Sequence, residues 1–92
     1  MEKYLIEVPH EATEKACVNA VRVFLQTGSH FLANADWGCH DGEHKAWLLV
    51  EVENKEQANQ IIPPIFRQEA KITKLHTFTR EEMDNIEKVH LV

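Results

Sequence analysis

No apolar run in this chain approaches the ~18 residues needed to span a membrane, and the start, Met1-Glu2-Lys3-Tyr4, has no apolar core of the kind that directs export. A cytoplasmic location and no membrane partner are the expectation. Basic charge is scarce as well: 10 Lys and Arg against 15 Asp and Glu leave a formal charge of −5. Nucleic acid and anionic lipid select basic surfaces, so neither is an expected partner. Cysteine is limited to Cys17 and Cys39. That is too few for a disulfide scaffold, and in a reducing compartment such residues read as buried thiols, metal ligands or redox groups. The spacings that most strongly signal a metal or redox site, HxH, HExxH and CxxC, are missing. With 3 glycines, 3 prolines and no repeat, linker or low-complexity stretch, nothing divides residues 1–92, which read as a single domain.

What is present suits a small globular protein. The apolar fraction of 43% supports one core, and a chain of 92 residues gains from burying further surface in a dimer. Tyr4-Leu5-Ile6-Glu7-Val8 alternates as a first strand with Tyr4, Ile6 and Val8 on one face. From about Glu11 the period becomes helical through Cys17, Ala20, Val21, Phe24 and Leu25, with Gly28 as the stop. Phe31 to Cys39 and His44 to Val52 read as a hairpin about a two-residue Asp41-Gly42 turn, with Cys39 facing His44 and Trp37 facing Ala46. Asn54 with Gln57 opens a helix whose apolar side is Ala58, Ile61, Ile62 and Ile65, and Pro63-Pro64 ends it. Lys71 to Phe78 is a last strand, with a bulge invoked because Ile72 and Leu75 differ in parity. Thr79 with Glu82 caps a short final helix carrying Met83, Ile86 and Val89. The order β-α-β-β-α-β plus a C-terminal helix predicts an α+β, ferredoxin-like sandwich with an antiparallel sheet in the order 4-1-3-2.

Two candidate sites follow from strand parity. If Ile6 faces Leu48 and Val8 faces Ala46, His10 falls opposite His44, itself beside Cys39. The three then form a ligand set, with His40, Asp41 and Cys17 in reserve. One thiolate and two imidazoles suit zinc, nickel or copper better than the oxygen-seeking magnesium or calcium, so a transition metal, Zn or Ni, is the expected cofactor. The competing reading is that both cysteines are small buried hydrophobes and the histidines lie in water. The other candidate is the uncovered sheet face, bearing Leu5, Glu7, Leu32, Asn34, Asp36, Trp47, Leu49 and Glu51. It is too apolar for a solvated sheet and too acidic for a dry core, which suits a homodimer interface or a pocket between two subunits. There Glu7, Asp36 and Glu51 are candidate general bases, and Trp47, Asn34 and Arg67 candidate contacts for a small-molecule ligand.

The pattern from Tyr4-Leu5-Ile6-Glu7 through Trp37-Gly38-Cys39, Glu43-His44-Lys45-Ala46-Trp47 and Ile62-Pro63-Pro64 to Phe78-Thr79 resembles small bacterial proteins of the dimeric α/β-barrel type. At fold level that group is similar to muconolactone isomerase-like proteins, antibiotic-biosynthesis monooxygenases and small nickel-binding ferredoxin-like proteins. The resemblance implies a homodimer formed through the sheets, with any site near or between the subunits, and carries no reaction. The leading expectation is therefore a homodimeric protein that binds a transition metal or small ligand. A cofactor-independent isomerase or monooxygenase-type enzyme and a non-catalytic interaction module are the alternatives.

Overall fold

In the first strand, β1 (Glu2–Pro9), every second side chain is buried, Tyr4, Ile6 and Val8 in turn, as a strand with one covered face requires. The computed structural model describes the backbone of residues 1–90 and the side chains of residues 1–86. Val89, expected on the apolar side of the last helix, lies outside the described side chains. Helix α1 (Glu14–Gln26) begins where the Thr13 hydroxyl accepts the Ala16 amide at 3.0 Å, three residues later than the apolar period alone suggests. After it come α2 (His30–Ala33), β2 (Asp36–Trp37), a 3-10 turn at Cys39–Asp41 and β3 (Lys45–Val52). Helix α3 (Lys55–Ile61), a second 3-10 turn at Pro64–Phe66, β4 (Lys71–Leu75) and α4 (Arg80–His90) complete the chain. The Asn54 side chain accepts from the Gln57 amide at 2.9 Å, and Gln57 Oε1 in turn accepts from the Glu53 amide.

The four strands form one antiparallel sheet in the order β2-β3-β1-β4, an α+β architecture. Its covered face carries Tyr4, Ile6, Val8, Ala46, Leu48, Val50 and Val52, packed with Phe24 of α1 and with Ala58 and Ile62 from the α3 region into one core. Among the described residues no helix is long and apolar enough to cross a membrane.

The expected strand from Phe31 to Cys39 shrinks to Asp36–Trp37. Short-range polar bonds divert the chain before it. The Ser29 hydroxyl accepts the Leu32 amide at 3.3 Å and the Asn34 amide group donates to the His30 carbonyl at 2.8 Å, closing one helical turn between them. That turn swaps the faces. Leu32, placed by alternation on the open side, is buried in the core, while Phe31 and Ala33 are exposed. Trp37 does face Ala46.

Beyond Trp37 the two-residue hairpin is also replaced. A type I′ turn needs positive φ at Asp41, yet only Gly42 adopts it, at 80°. The chain instead winds through Cys39–Asp41, closed by Asp41 N–H donating to the Gly38 carbonyl at 3.0 Å. β4 ends at Leu75, not Phe78, because Leu75 already pairs with Lys3 near the start of β1 and no partner strand remains. The pairing from Lys71 to Leu75 is continuous, so no bulge is present; Leu75 simply points to the open face alongside Leu5. Leu25 and Ile65, expected in the core, stand 60% and 69% exposed.

Candidate metal centre

The pairing of β1 with β3 builds the site. Ile6 opposes Leu48, Val8 opposes Ala46 and Pro9 opposes Lys45; one residue further, His10 N–H donates to the His44 carbonyl at 3.0 Å. Two imidazoles are thereby fixed at one end of adjacent strands. Their rings meet edge-on with centroids 5.7 Å apart. The 3-10 turn folds Cys39 back over them, and one ligand atom each from His10, Cys39 and His44 lies within 4.8 Å of the others.

Hydrogen bonds set the protonation pattern. His10 Nδ1 lies 2.8 Å from the Glu11 carbonyl, which can only accept, so Nδ1 bears the proton and Nε2 presents its lone pair. Nε2 faces Cys39 Sγ at 3.1 Å, and the Cys17 thiol donates to Cys39 Sγ across 2.7 Å. Desolvation, with Cys17 beside it, pushes the Cys39 thiol up to about 11. His44 Nδ1 is buried and has no hydrogen-bond partner among the described residues. A buried polar nitrogen left unpaired costs roughly 1–3 kcal/mol.

The surroundings are aromatic. Trp37 stacks at a tilt on Phe24 with centroids 4.8 Å apart and reaches His10 at 6.1 Å; Phe66 closes on Phe24 from the other side. Beside His10 a cleft of about 640 Å³ is lined by Pro9, Glu11, Ala16, Asn19, Phe66 and Glu69. Phe66 and Glu69 gave no signal in the sequence, because their approach to His10 depends on how the chain after α3 folds back. The Glu11 carbonyl is a backbone group, and no pattern of side chains reveals it.

Gly38 holds the turn in place by close approach. A Cβ there would stand 2.6 Å from Trp47 Cζ3 and 2.7 Å from the Glu43 carbonyl oxygen. Since the second is backbone, Gly38→Ala is expected to cost about 1–3 kcal/mol by overpacking and to displace Cys39. Urea denaturation measures the first effect and metal titration the second.

The remaining expected site residues do not join this cluster. His40 and Asp41 are exposed on the turn. On the open face Glu7 pairs with Lys45 Nζ at 3.6 Å, while Asp36 and Glu51 are exposed. Trp47 lies across from Glu7 with Lys45 Nζ 5.7 Å from its ring centroid. Asn34 and Glu51 line a separate shallow cleft of about 310 Å³ with His30, Phe31 and Leu49. Arg67 is committed to the end of α3, donating to the Ile62 and Gln60 carbonyls at 2.8 and 3.2 Å. The three expected ligand contacts thus lie apart from one another.

Compared with known proteins, the chain matches no family model, no curated protein and no solved structure.

Proposed function

We propose that this chain binds a transition metal, zinc or nickel, through His10, Cys39 and His44, in a ferredoxin-like homodimer. The observation that carries the reading is His44, whose buried Nδ1 has no partner among the described residues and which offers a ring nitrogen within 4.8 Å of ligand atoms of His10 and Cys39. Bonds of roughly 2.0–2.3 Å to one ion place such atoms about 3.3–3.8 Å apart in a tetrahedral set, so His10 Nε2 and Cys39 Sγ, 3.1 Å apart, need to open slightly and any wider separation, none above 4.8 Å, needs to close. The donor set of one sulfur and two imidazole nitrogens matches borderline-soft ions. The Glu11 carbonyl on His10 Nδ1 is the outer-shell partner that fixes a ligating tautomer. A metal held by His10, Cys39 and His44 would supply Lewis acidity there, and the cleft beside His10 would give a small ligand access to it.

The strand order, written from the opposite edge as β4-β1-β3-β2, supports the ferredoxin-like assignment. The open face supports the homodimer. Its middle row, Leu49-Leu5-Thr73, is apolar at its two leucines and flanked by Trp47 and Leu75, and Leu49 is 64% exposed in the isolated chain. Apart from the Glu7–Lys45 pair, which joins the two halves, its acidic residues Asp36 and Glu51 lie on the β2-β3 half, and Lys3 and Lys71 on the β1-β4 half. A two-fold pairing that sets each half over the other brings opposite charges together.

Titration of reduced, metal-free, untagged protein with zinc or nickel tests the site. One ion bound per chain is expected, and Cys39→Ser is expected to weaken binding beyond the ~10–100-fold that outer-shell changes cause. Binding unchanged by that substitution removes the proposal. For the dimer, light scattering that returns a monomer mass at micromolar concentration is the decisive contrary result.

A further inference from the structure

Cys17, on α1, contributes no atom to the mutually close set of His10, Cys39 and His44, yet its sulfur lies 2.7 Å from that of Cys39. Both cysteines are free and only half-buried. A disulfide joins sulfurs ~2.05 Å apart, and two thiolates on one tetrahedral zinc stand roughly 3.8 Å apart. The observed spacing falls between, nearer the disulfide. A sulfur bonded to another sulfur has no thiolate to offer a metal. We infer that Cys17 and Cys39 form an exchange-active thiol pair, and that its oxidation by a small disulfide compound withdraws Cys39 from the metal and releases the ion. This rests on the metal-binding reading above.

The chemistry needs two exchange steps. One protein thiolate attacks the oxidant's S–S bond, forming a mixed disulfide and expelling one thiolate of the oxidant. The second protein sulfur then attacks the protein-side sulfur of that mixed disulfide, forming the Cys17–Cys39 bond and expelling the other thiolate. Two protein thiols are oxidised, the oxidant is reduced to two thiols, and the two protein protons end on them. His10 Nε2, 3.1 Å from Cys39 Sγ, is placed to carry the Cys39 proton on its way. The movement required is small, because Cys39 sits on a turn flanked by the exposed His40 and Asp41.

The test exposes zinc-loaded and metal-free protein to glutathione disulfide, reading intact mass, a peptide map and zinc captured by a colorimetric chelator. The metal-free protein is expected to lose two hydrogens, keep no glutathione and yield a Cys17–Cys39 linked peptide. The loaded protein is expected to release its zinc as that bond forms. Cys17→Ser and Cys17→Ala, which leave the three ligand residues in place, are expected to retain zinc under the same oxidant. In metal-free form both variants are expected to stop at a glutathione adduct on Cys39. The inference is overturned if the disulfide fails to form, forms only between two chains, or forms while zinc stays bound. Reduced wild-type protein that takes up no zinc overturns the metal-binding reading, and the disulfide arm, which needs no metal, tells that failure from failure of the thiol pair.

Discussion

His44→Leu is expected to abolish metal-dependent stabilisation while leaving the metal-free fold as stable as before or more so. The two effects have one origin. In the metal-free chain His44 Nδ1 is buried without a partner, and leucine of similar bulk removes that unpaired group together with its cost. With metal at 100 times its dissociation constant the wild-type protein gains about 2.7 kcal/mol by linkage, equivalent to a rise in melting temperature of roughly 10–20 °C for a domain of this size. The variant forfeits that rise. Thermal melts with and without zinc measure both quantities. A variant that melts several degrees lower than wild type in the absence of metal, yet still responds to zinc, would show that His44 is a packing residue.

Phe24→Ala is expected to cost about 3–5 kcal/mol, a large share of the stability of a domain whose total is roughly 5–15 kcal/mol. Phe24 is 1% exposed and holds Trp37 on one side and Phe66 on the other. Removing the ring leaves a cavity that the strands, fixed by their hydrogen bonds, cannot close. Trp37 also flanks His10, so the cavity is expected to loosen the ligand set and lower metal affinity in whatever fraction remains folded. Leu25→Ala, one residue along the same helix but 60% exposed, is the control and is expected to change stability by less than ~0.5 kcal/mol. Urea denaturation of the pair decides the matter; equal costs would contradict the burial pattern.

These two neighbours show where sequence patterning is exact and where it is loose. Apolar spacing located α1 and its inward side, but a stripe a few residues wide cannot tell which of two adjacent apolar positions meets the sheet. Alternation in β1 and β3 was more informative, because a strand has only two faces. It placed Ile6 against Leu48 and Val8 against Ala46, and thereby brought His10 to His44. Parity also separated Trp37, which packs on Phe24, from Trp47, which lies on the open face. It misled at Phe31 to Ala33, where Ser29 and Asn34 offer the backbone local bonds that outweigh a weak strand preference. The identity of a cap is visible in a sequence, but its victory over alternation is not.

The sequence by itself determined that the chain is small, acidic and α+β, which residues of β1 and β3 line the covered sheet face, and that His10, Cys39 and His44 share one end of it. Period and parity are local properties of the chain, and they survive translation into structure. Tertiary structure alone decided the rest. It wound Cys39 into a 3-10 turn in place of a hairpin, set Cys17 2.7 Å from it across two elements, gave His10 its tautomer through a backbone carbonyl and left His44 Nδ1 unpaired. Those features depend on how separate segments approach in three dimensions, on distances of a few tenths of an ångström and on main-chain groups common to every residue.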